Sequence, residues 1–398
     1  MVIIFMKNIA IIVPSLKGGG AERVVSLLSQ ELSKKYNLYL IVFDSEEMSF
    51  EYGGKLIDID IKSHSNIFMK TYNVFKRAYR VRKIKKKYKI QSSISFLGSA
   101  NIVNILSRVN EKTIVSIHSN LATEKKIILG SMNKLIYNKS DKVIGVSKGI
   151  INNLINNYKL SDEKVGYIYN PVNLSNIEQI SREEVYCNNV FNQNDFTIVN
   201  MGRLTNAKGQ WHLIRALSHV KREIRNIKLL ILGQGELEDY LRDLVKKVGL
   251  NNNVVFLGYQ KNPFKYIRKT DLFVLSSLYE GFGNVIIEAM ACGTPIISTD
   301  CRSGPREIIA PGTDIEYKAK DIEYCEYGVL VPVCDGIYYD YNAPLTREEK
   351  LLAESIIKLY KDKRLRKHYS DKGKERVKDF DIENIVKEWV ELISYNII

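Results

Sequence analysis

Two glutamates eight positions apart are the residues of this sequence best suited to chemistry. The segment Glu280-Gly-Phe-Gly-Asn-Val-Ile-Ile-Glu288 follows a predicted buried strand and enters a predicted helix in which Glu288 stands among apolar residues only. A carboxylate in such surroundings needs a strong hydrogen-bond partner, because burial without one costs several kcal/mol. A ribose diol would supply two hydroxyl donors, and Glu280 in the glycine-bearing turn could accept a hydrogen bond from a sugar ring. The alternative partner is an internal Lys or Arg.

A loop with two cations supplies the complementary charge. Gly202-Arg203-Leu-Thr-Asn-Ala-Lys208-Gly209 follows another buried-looking strand. Arg offers a fork to paired phosphate oxygens, and Lys offers a mobile point charge. Unless the loop is simply solvated, the two loops together predict a site for a diphosphate joined to a sugar.

The first half of the chain contributes a glycine loop and a histidine. Gly18–Gly20 lie between a strand and a helix, where the backbone can approach a ligand and the helix N-terminus favours anions. The loop is no dinucleotide fingerprint, because Arg23 occupies the position of the third glycine, and a tight turn is the alternative. His118 ends a predicted strand and would orient a hydroxyl or sense charge there, unless its role is structural.

The sequence gives little support for a metal site. Asp58-Ile-Asp60 is a D-x-D motif, and its alternating surroundings predict a short strand with both acids on one solvent-facing side. No H-E-x-x-H pattern occurs. The five cysteines, Cys187 among them, lack C-x-x-C spacing, so we expect neither a zinc site nor a disulfide framework, and a reducing cytoplasm fits best.

Alternating β-rich runs and helical patterns predict an α/β fold of two parallel-sheet domains, since 398 residues exceed one compact core. The apolar start is too short for a membrane span, so we expect a soluble or peripheral protein. The predicted boundaries are 1–175 for the first domain, 176–195 for a linker, 196–375 for the second domain, and 376–398 for a helix that returns to the first. The predicted strands are Asn8–Val13, Leu38–Phe43, Gln91–Phe96, Thr113–His118, Lys142–Val146, Lys164–Ile168, Phe196–Gly202, Lys228–Gly233, Val254–Gly258, Leu272–Ser276, Pro295–Thr299 and Gly328–Pro332.

The net charge of +14 is concentrated in the first domain. Residues 70–89 carry ten basic side chains and no acidic one, and the apolar spacing predicts an amphipathic helix over 67–89. Such a density of like charge favours an anionic membrane surface or a lipid phosphate, with a solvated face or nucleic acid as the alternatives. The side chains assigned to that contact are Lys76, Arg77, Arg80, Lys83, Lys86 and Lys87.

Taken together, these segments resemble the family 4 glycosyltransferases, retaining enzymes whose GT-B fold has two Rossmann-like domains facing a central cleft. The resemblance covers nearly the whole chain. It is carried by Gly18–Gly20 with Ala21-Glu22-Arg23, His118 in Ser-Ile-His-Ser-Asn, Asn170-Pro171-Val172, Gly202-Arg203 with Lys208-Gly209, Gly233-Gln-Gly235-Glu-Leu, Glu280 with Glu288, Ser303-Gly304-Pro305-Arg306-Glu307 and Tyr327-Gly-Val-Leu-Val-Pro332.

The resemblance implies a role for each candidate residue. Arg203 and Lys208 would hold the donor diphosphate, while Gly18–Gly20 would approach the donor phosphates or the acceptor. Glu280 would bind the transferred sugar, Glu288 the ribose, and His118 would lie near the transfer point. The implied catalytic residues are Arg203, Lys208, Glu280 and His118. The implied donor-binding residues are Gly18, Gly19, Gly20, Gly202, Gly283, Asn284, Val285 and Glu288. The family needs no metal and no cofactor beyond the nucleotide-sugar substrate.

Within the family, the segment from Ile94 to Ile102 and the basic helix resemble bacterial enzymes of O-antigen, capsule or N-glycan assembly. The implied function is retaining transfer of a hexose or N-acetylhexosamine from a UDP-sugar to an undecaprenyl-diphosphate-linked saccharide. The implied location is cytoplasmic, on the inner face of the cytoplasmic membrane. The alternatives are a sugar-nucleotide 2-epimerase of the same fold and a nucleic-acid-binding protein, the latter disfavoured by the Arg203/Lys208 and Glu280/Glu288 loops.

Overall fold

The computed structural model describes residues 6–62, 64, 66–118, 136–185 and 190–394. The chain divides into two compact units, one formed by Met1–Pro171 with Asp381–Ile398 (unit 1) and the other by Val172–Phe380 (unit 2). Cys187 and the Ser119-Asn120 pair that follows His118 lie outside the described residues.

Unit 1 is built on a seven-stranded sheet whose order is β3-β2-β1-β4-β5-β6-β7. Every neighbouring pair is parallel, and the central strands are buried because helices cover both faces of such a sheet. The strands are β1 (Asn8–Val13), β2 (Asn37–Val42), β3 (Lys55–Asp58), β4 (Ser92–Phe96), β5 (Lys112–Ile117), β6 (Lys142–Gly145) and β7 (Val165–Tyr167). The helices between them are α1 (Gly20–Leu32), α2 (Ile67–Lys87), α3 (Gly98–Leu106) and α4 (Lys148–Tyr158).

Unit 2 repeats the plan with a second seven-stranded sheet, in the order β10-β9-β8-β11-β12-β14-β13. Its pairs are parallel except β13 with β14. The strands are β8 (Phe196–Met201), β9 (Ile227–Leu232), β10 (Val254–Gly258), β11 (Leu272–Leu275), β12 (Ile296–Thr299), β13 (Glu323–Tyr324) and β14 (Val329–Val331). The helices are α5 (Leu174–Ile180), α6 (Gln210–Glu223), α7 (Glu238–Lys247), α8 (Phe264–Ile267), α9 (Asn284–Ala291), α10 (Pro305–Ile309), α11 (Arg347–Lys361) and α12 (Lys363–Arg376).

The last helix, α13 (Ile382–Ser394), belongs to unit 1. Its buried apolar residues recur at helical spacing and join the core that contains β1 and α1. Trp389 packs near Phe96, with the ring centroids 5.9 Å apart. Lys7 Nζ donates to the Ile393 carbonyl at 2.8 Å and Lys112 Nζ to the Leu392 carbonyl at 2.6 Å, so two cations hold the C-terminal end of the helix, where its dipole favours them.

The predicted α/β architecture is confirmed, and the predicted strands agree with the observed ones to within one or two residues. Helix α5 was not among the predicted elements. Helix α5, capped by Asn173, occupies the start of the predicted linker 176–195, and unit 2 begins at Val172. Strand β3 ends at Asp58, and Asp60 follows it with a φ of +45°, so the expectation that both acids share one side of a strand is wrong.

Among the described residues, no helix combines the length and the apolar composition needed to span a bilayer.

Candidate functional site

Four loops of unit 2 meet along the carboxyl edge of its sheet. They follow β8, β9, β11 and β12, which are neighbours in the sheet and run parallel. Loops that leave the same ends of parallel strands share one edge, which is where α/β sheets bind ligands. The predicted cation loop (202–209) and acid loop (280–283) are two of these four.

Backbone contacts between these loops require glycine. Gly209 has a φ of +57°, and a Cβ atom there would lie 2.4 Å from the carbonyl oxygen of Ser276. Gly304 has a φ of +100°, and its Cβ would lie 1.9 Å from the carbonyl oxygen of Phe282. Side chains at these two positions would push the loops apart. The glycines therefore bring the cation loop and the acid loop into direct contact.

The contact joins Lys208 to Glu280. Lys208 Nζ lies 2.5 Å from Glu280 Oε1, and the Ser277 hydroxyl donates to the same oxygen at 2.6 Å. The Ser276 hydroxyl donates to the Lys208 carbonyl at 2.9 Å, which fixes the loop beneath the lysine. The two charged side chains keep 19% and 11% of their surface exposed. Sequence reasoning missed both serines, although their position between β11 and Glu280 was a usable signal.

Both members of this ion pair retain hydrogen-bonding capacity. Within the described residues, Lys208 Nζ has no partner other than Glu280, and Glu280 Oε2 has none. An ammonium group carries three donors and a carboxylate accepts at both oxygens. The pair can therefore bind an anion through the lysine and a hydroxyl through the glutamate at the same edge of the sheet.

Arg203 adds a second cation to the same loop. Its side chain is exposed, and its guanidinium makes no hydrogen bond or ion pair with any residue that the structure describes. Its carbonyl accepts a hydrogen bond from Gln210 Nε2 at 3.2 Å. A Cβ on Gly202 would lie 3.3 Å from the Lys208 side chain, so the lysine passes closely over that glycine. The loop thus holds one fixed cation and one that is free to move.

Glu288 lies in the helix that follows the acid loop. Gly283 is the N-cap of α9 with a φ of +92°, and it offers no side chain to the first helical amides. Asn284 and Val285 form the first, partly exposed positions. Glu288 is 7% exposed, among buried apolar neighbours on the same helix. The structure therefore confirms the apolar setting that the sequence predicted for this carboxylate.

An ion-pair network supports the loop after β12. Arg306 Nη2 lies 2.6 Å from Asp300 Oδ2 and 2.9 Å from Glu323 Oε2. The amide of Ala319 also donates to Asp300, at 2.7 Å. Arg306 and Asp300 are nearly fully buried. The network holds the Gly304 turn that touches the acid loop, a positioning role that the sequence motif alone did not reveal.

The remaining predicted residues lie in unit 1. Gly18 has a φ of +124°, and Gly19 is the N-cap of α1, again without a capping side chain. His118 follows β5, and its Nε2 lies 3.0 Å from the Ser116 hydroxyl. Burial lowers the pKa of His118 to about 3, so the imidazole is neutral near neutral pH. A neutral imidazole can orient a hydroxyl, but it does not serve as a charge sensor there.

The D-x-D acids do not form a ligand set. The Asp58 carboxylate accepts hydrogen bonds from the amide and the hydroxyl of Ser45, and its other oxygen accepts the Asp60 amide at 2.7 Å. In the part of the chain that the structure describes, no group of three or more His, Cys, Asp or Glu side chains is placed to hold a metal ion.

The basic helix is observed as α2, and its cations fall into two groups. Lys76, Lys83, Lys86 and Lys87 are exposed. Arg77 is buried and donates from Nε and Nη2 to the Ile61 carbonyl, at 3.0 and 2.6 Å, and Arg80 donates to the Ile59 carbonyl. Arg77 therefore anchors the helix from within, which differs from the surface position predicted for it.

Two family models together match most of the chain. The family model described as Glycosyltransferase Family 4 matches residues 18–176, and that described as Glycosyl transferases group 1 matches residues 181–323. An uncharacterized glycosyltransferase of Methanocaldococcus jannaschii is 38% identical, with 85% of this chain and 88% of the relative covered.

A second relative has a named activity. It is the N-acetylgalactosamine-N,N'-diacetylbacillosaminyl-diphospho-undecaprenol 4-alpha-N-acetylgalactosaminyltransferase of Campylobacter jejuni, 30% identical over 96% of this chain and 98% of the relative. Among solved structures, HepE of Anabaena in complex with UDP superposes with a TM-score of 0.74 at 20% identity, covering 98% of this chain and all of HepE. That likeness shows a common fold.

Proposed function

The chain belongs to glycosyltransferase family 4 and has the GT-B fold, and from this premise we propose that it transfers a hexose or N-acetylhexosamine from a UDP-sugar to an undecaprenyl-diphosphate-linked saccharide. The observation that carries the proposal is the contact between Lys208 and Glu280, a cation suited to bind phosphate beside an acid suited to accept from a hydroxyl. A nucleotide sugar has both groups, a diphosphate and a ring rich in hydroxyls, on adjacent atoms.

The proposed reaction exchanges one bond at the anomeric carbon for another. The bond from that carbon to the diphosphate oxygen breaks, and the acceptor hydroxyl oxygen bonds to the same face of the sugar. The proton of the acceptor passes to the departing diphosphate, so the configuration is retained and no metal is required. Arg203 and Lys208 stabilise the negative charge that develops on the leaving group, which is the main catalytic contribution of the protein.

Donor binding would change the partners of the Lys208–Glu280 pair. Without donor, the two groups neutralise each other. A diphosphate would recruit the unused donors of Lys208 and the free guanidinium of Arg203, while Glu280 would accept from a sugar hydroxyl. Glu288 would accept from the ribose. Neutral His118 in unit 1 would orient a hydroxyl.

The acceptor class is supported by the relatives. The Campylobacter enzyme, named for a diphospho-undecaprenol acceptor, is 30% identical over nearly the whole of both chains. A second Campylobacter enzyme, 27% identical over 98% of this chain, is also named for an undecaprenol diphosphate. The UDP donor is supported by the UDP complex of HepE and by the cations and acids of unit 2.

A lipid-linked acceptor implies contact with a membrane surface, and we assign that contact to α2. Four aromatic side chains, at spacings of four, three and four residues, are between 59% and 83% exposed. They are Phe68, Tyr72, Phe75 and Tyr79. Lys76 and Lys83 lie over the Tyr72 and Tyr79 rings. Aromatic rings favour the headgroup region of a bilayer, and each nearby Lys contributes about 1 kcal/mol toward anionic lipid.

The function is tested with a panel of labelled UDP- and GDP-sugars offered together with a bacterial lipid extract. We expect label to move into the lipid fraction from one UDP-sugar, with the anomeric configuration of the donor. The variant Glu280→Gln keeps the size of the side chain and should lose at least tenfold in turnover, since that factor corresponds to only about 1.4 kcal/mol. Rapid conversion of a soluble UDP-N-acetylhexosamine without acceptor would instead identify the epimerase.

The membrane contact is tested by reversing the charge of Lys83, Lys86 and Lys87 to Glu, leaving the buried Lys85 in place. The affinity for anionic vesicles, measured by co-sedimentation, should fall about a hundredfold, since at least three contributions of about 1 kcal/mol are lost. Hydrolysis of the donor should stay unchanged. The control variant reverses the charge of three exposed lysines of unit 2 by substituting Glu for Lys261, Lys269 and Lys318. Equal loss of binding in both variants would contradict the assignment to α2.

A further inference from the structure

A cavity of about 510 Å³ lies in unit 2, apart from the residues of the candidate site. Its wall is formed by the second half of α6, by residues 341–345 and by the first turn of α11. Arg203, Lys208, Glu280 and Glu288 are not among its lining residues. Its volume is in the range of small-molecule sites.

The wall of the cavity is held by buried hydrogen bonds. Arg215 is 1% exposed and donates to the carbonyls of Asp340, Ala343 and Pro344, at 2.8, 3.2 and 2.9 Å. Its Nε also donates to Glu349 at 2.8 Å. Because one buried guanidinium fixes three carbonyls of the loop, the cavity has a defined shape before any ligand arrives.

The charges that line the cavity are of one sign. His219, Arg222 and Lys350 face it with no hydrogen-bond or ion-pair partner among the described residues, and the lining contains no Asp or Glu. The nearby Glu349 is buried and engaged by Arg215 and His212. Unpaired basic groups around a concavity produce a positive potential that attracts anions. Tyr341, Val248 and Leu345 add apolar surface.

We propose that this cavity binds a phosphorylated small molecule, with its phosphate groups held by Arg222 and Lys350 and its less polar part against Tyr341. Phosphate is favoured because guanidinium and ammonium groups are the side chains that bind it through charge-assisted hydrogen bonds. The site is a second anion site of unit 2, and it does not depend on the chemistry proposed for Lys208 and Glu280.

Inorganic pyrophosphate is the probe for a test, and the His219 ring is a local reporter. The chain has five histidines, so protein labelled with ¹³C-histidine gives a simple ¹H–¹³C spectrum in which His219→Gln identifies one signal. Pyrophosphate at millimolar concentration should shift that signal in a saturable manner. The double variant Arg222→Ala/Lys350→Ala should weaken this binding at least tenfold, because it removes two charge-assisted contacts.

The matched control is Arg225→Ala/Lys363→Ala, which removes the same charges from positions that do not line the cavity. It should bind pyrophosphate as the unchanged protein does. Lys208→Ala should also leave the His219 shift intact, which separates this site from the proposed donor site. The proposal is overturned if His219 does not respond, if chloride at equal ionic strength gives the same shift, or if Lys208→Ala abolishes it.

Discussion

The two units each contain a short Lys–Glu ion pair, and the pairs differ in what surrounds them. In unit 1, Lys85 Nζ lies 2.6 Å from Glu111 Oε1, and both side chains are fully buried. In unit 2, Lys208 Nζ lies 2.5 Å from Glu280 Oε1, with 19% and 11% of the two side chains exposed. Distance alone does not distinguish the pairs.

The distinguishing property is how many hydrogen bonds each pair has left to make. Lys85 uses all three of its donors, on Glu111 and on the carbonyl and side-chain oxygens of Asn104, at 2.9 and 2.7 Å. The second oxygen of Glu111 accepts the Val109 amide at 2.9 Å. A saturated pair of this kind fixes the fold, whereas the Lys208–Glu280 pair keeps donors and an acceptor for a ligand.

The largest expected effect comes from breaking the saturated pair. Burial lowers the pKa of Lys85 to about 8 despite the attraction of Glu111, which shows how strongly the site is desolvated. Lys85→Ala leaves Glu111 buried without its counter-charge and should destabilise the protein by about 3–5 kcal/mol. Urea unfolding measures this loss.

The control for Lys85 is its neighbour Lys83, which is exposed on the same helix. Lys83→Ala should change the unfolding free energy by less than about 0.5 kcal/mol. If the two alanine variants are equally stable, the buried pair does not hold the fold, and saturation of hydrogen bonds is the wrong criterion.

The next largest effect comes from breaking the Lys208–Glu280 pair, which should change activity strongly and stability only slightly. Lys208→Ala removes one cation from the leaving diphosphate and should lower turnover about a hundredfold, in line with the loss of one preorganised donor. The unfolding free energy should fall by less than about 1 kcal/mol, because the pair is partly solvated. Lys246→Ala, at an exposed position of α7, is the control for turnover. A Lys208 variant that is unstable and still active would make the two pairs equivalent.

The sequence contained part of the information needed to tell these lysines apart. Gly202 and Gly209 flank Lys208, and Gly281 and Gly283 follow Glu280. These glycines marked both residues as loop residues at strand ends, and the structure joins those loops. Lys85 had no such local signal, because it is one of ten basic residues between positions 70 and 89. Its spacing from Ala78 and Val81, which are buried on the same face, was nevertheless a signal that it points inward.

Other features depended on contacts between distant parts of the chain. Glu111 is 26 positions from Lys85, and Arg77 reaches a carbonyl 16 positions away, so no local pattern revealed either partner. The alternation of strands and helices was readable because buried parallel strands are continuous apolar runs. Helix α5 was missed because it is short and follows Asn170-Pro171, a turn signal that concealed the Asn173 cap.

The smallest effect concerns His118, a titratable group whose pKa is lowered by burial rather than set by an ion pair. An unfolded chain binds a proton on this residue below about pH 6.5, while the folded protein does not until about pH 3. The unfolded state therefore binds more protons between these values. The stability contributed by neutral His118 is complete above about pH 6.5 and declines as the pH falls through this window.

Comparing the wild type with His118→Gln isolates this contribution, because glutamine can still bond to the Ser116 hydroxyl and does not titrate. Between pH 7.5 and pH 5, the unfolding free energy of the wild type, measured with urea, should fall by about 1 kcal/mol more than that of the variant. This value is smaller than the full linkage because the ring is partly exposed. Parallel pH profiles would mean that the imidazole is solvated enough to carry charge, and His118 would then join Lys208 among the groups free to respond to a ligand.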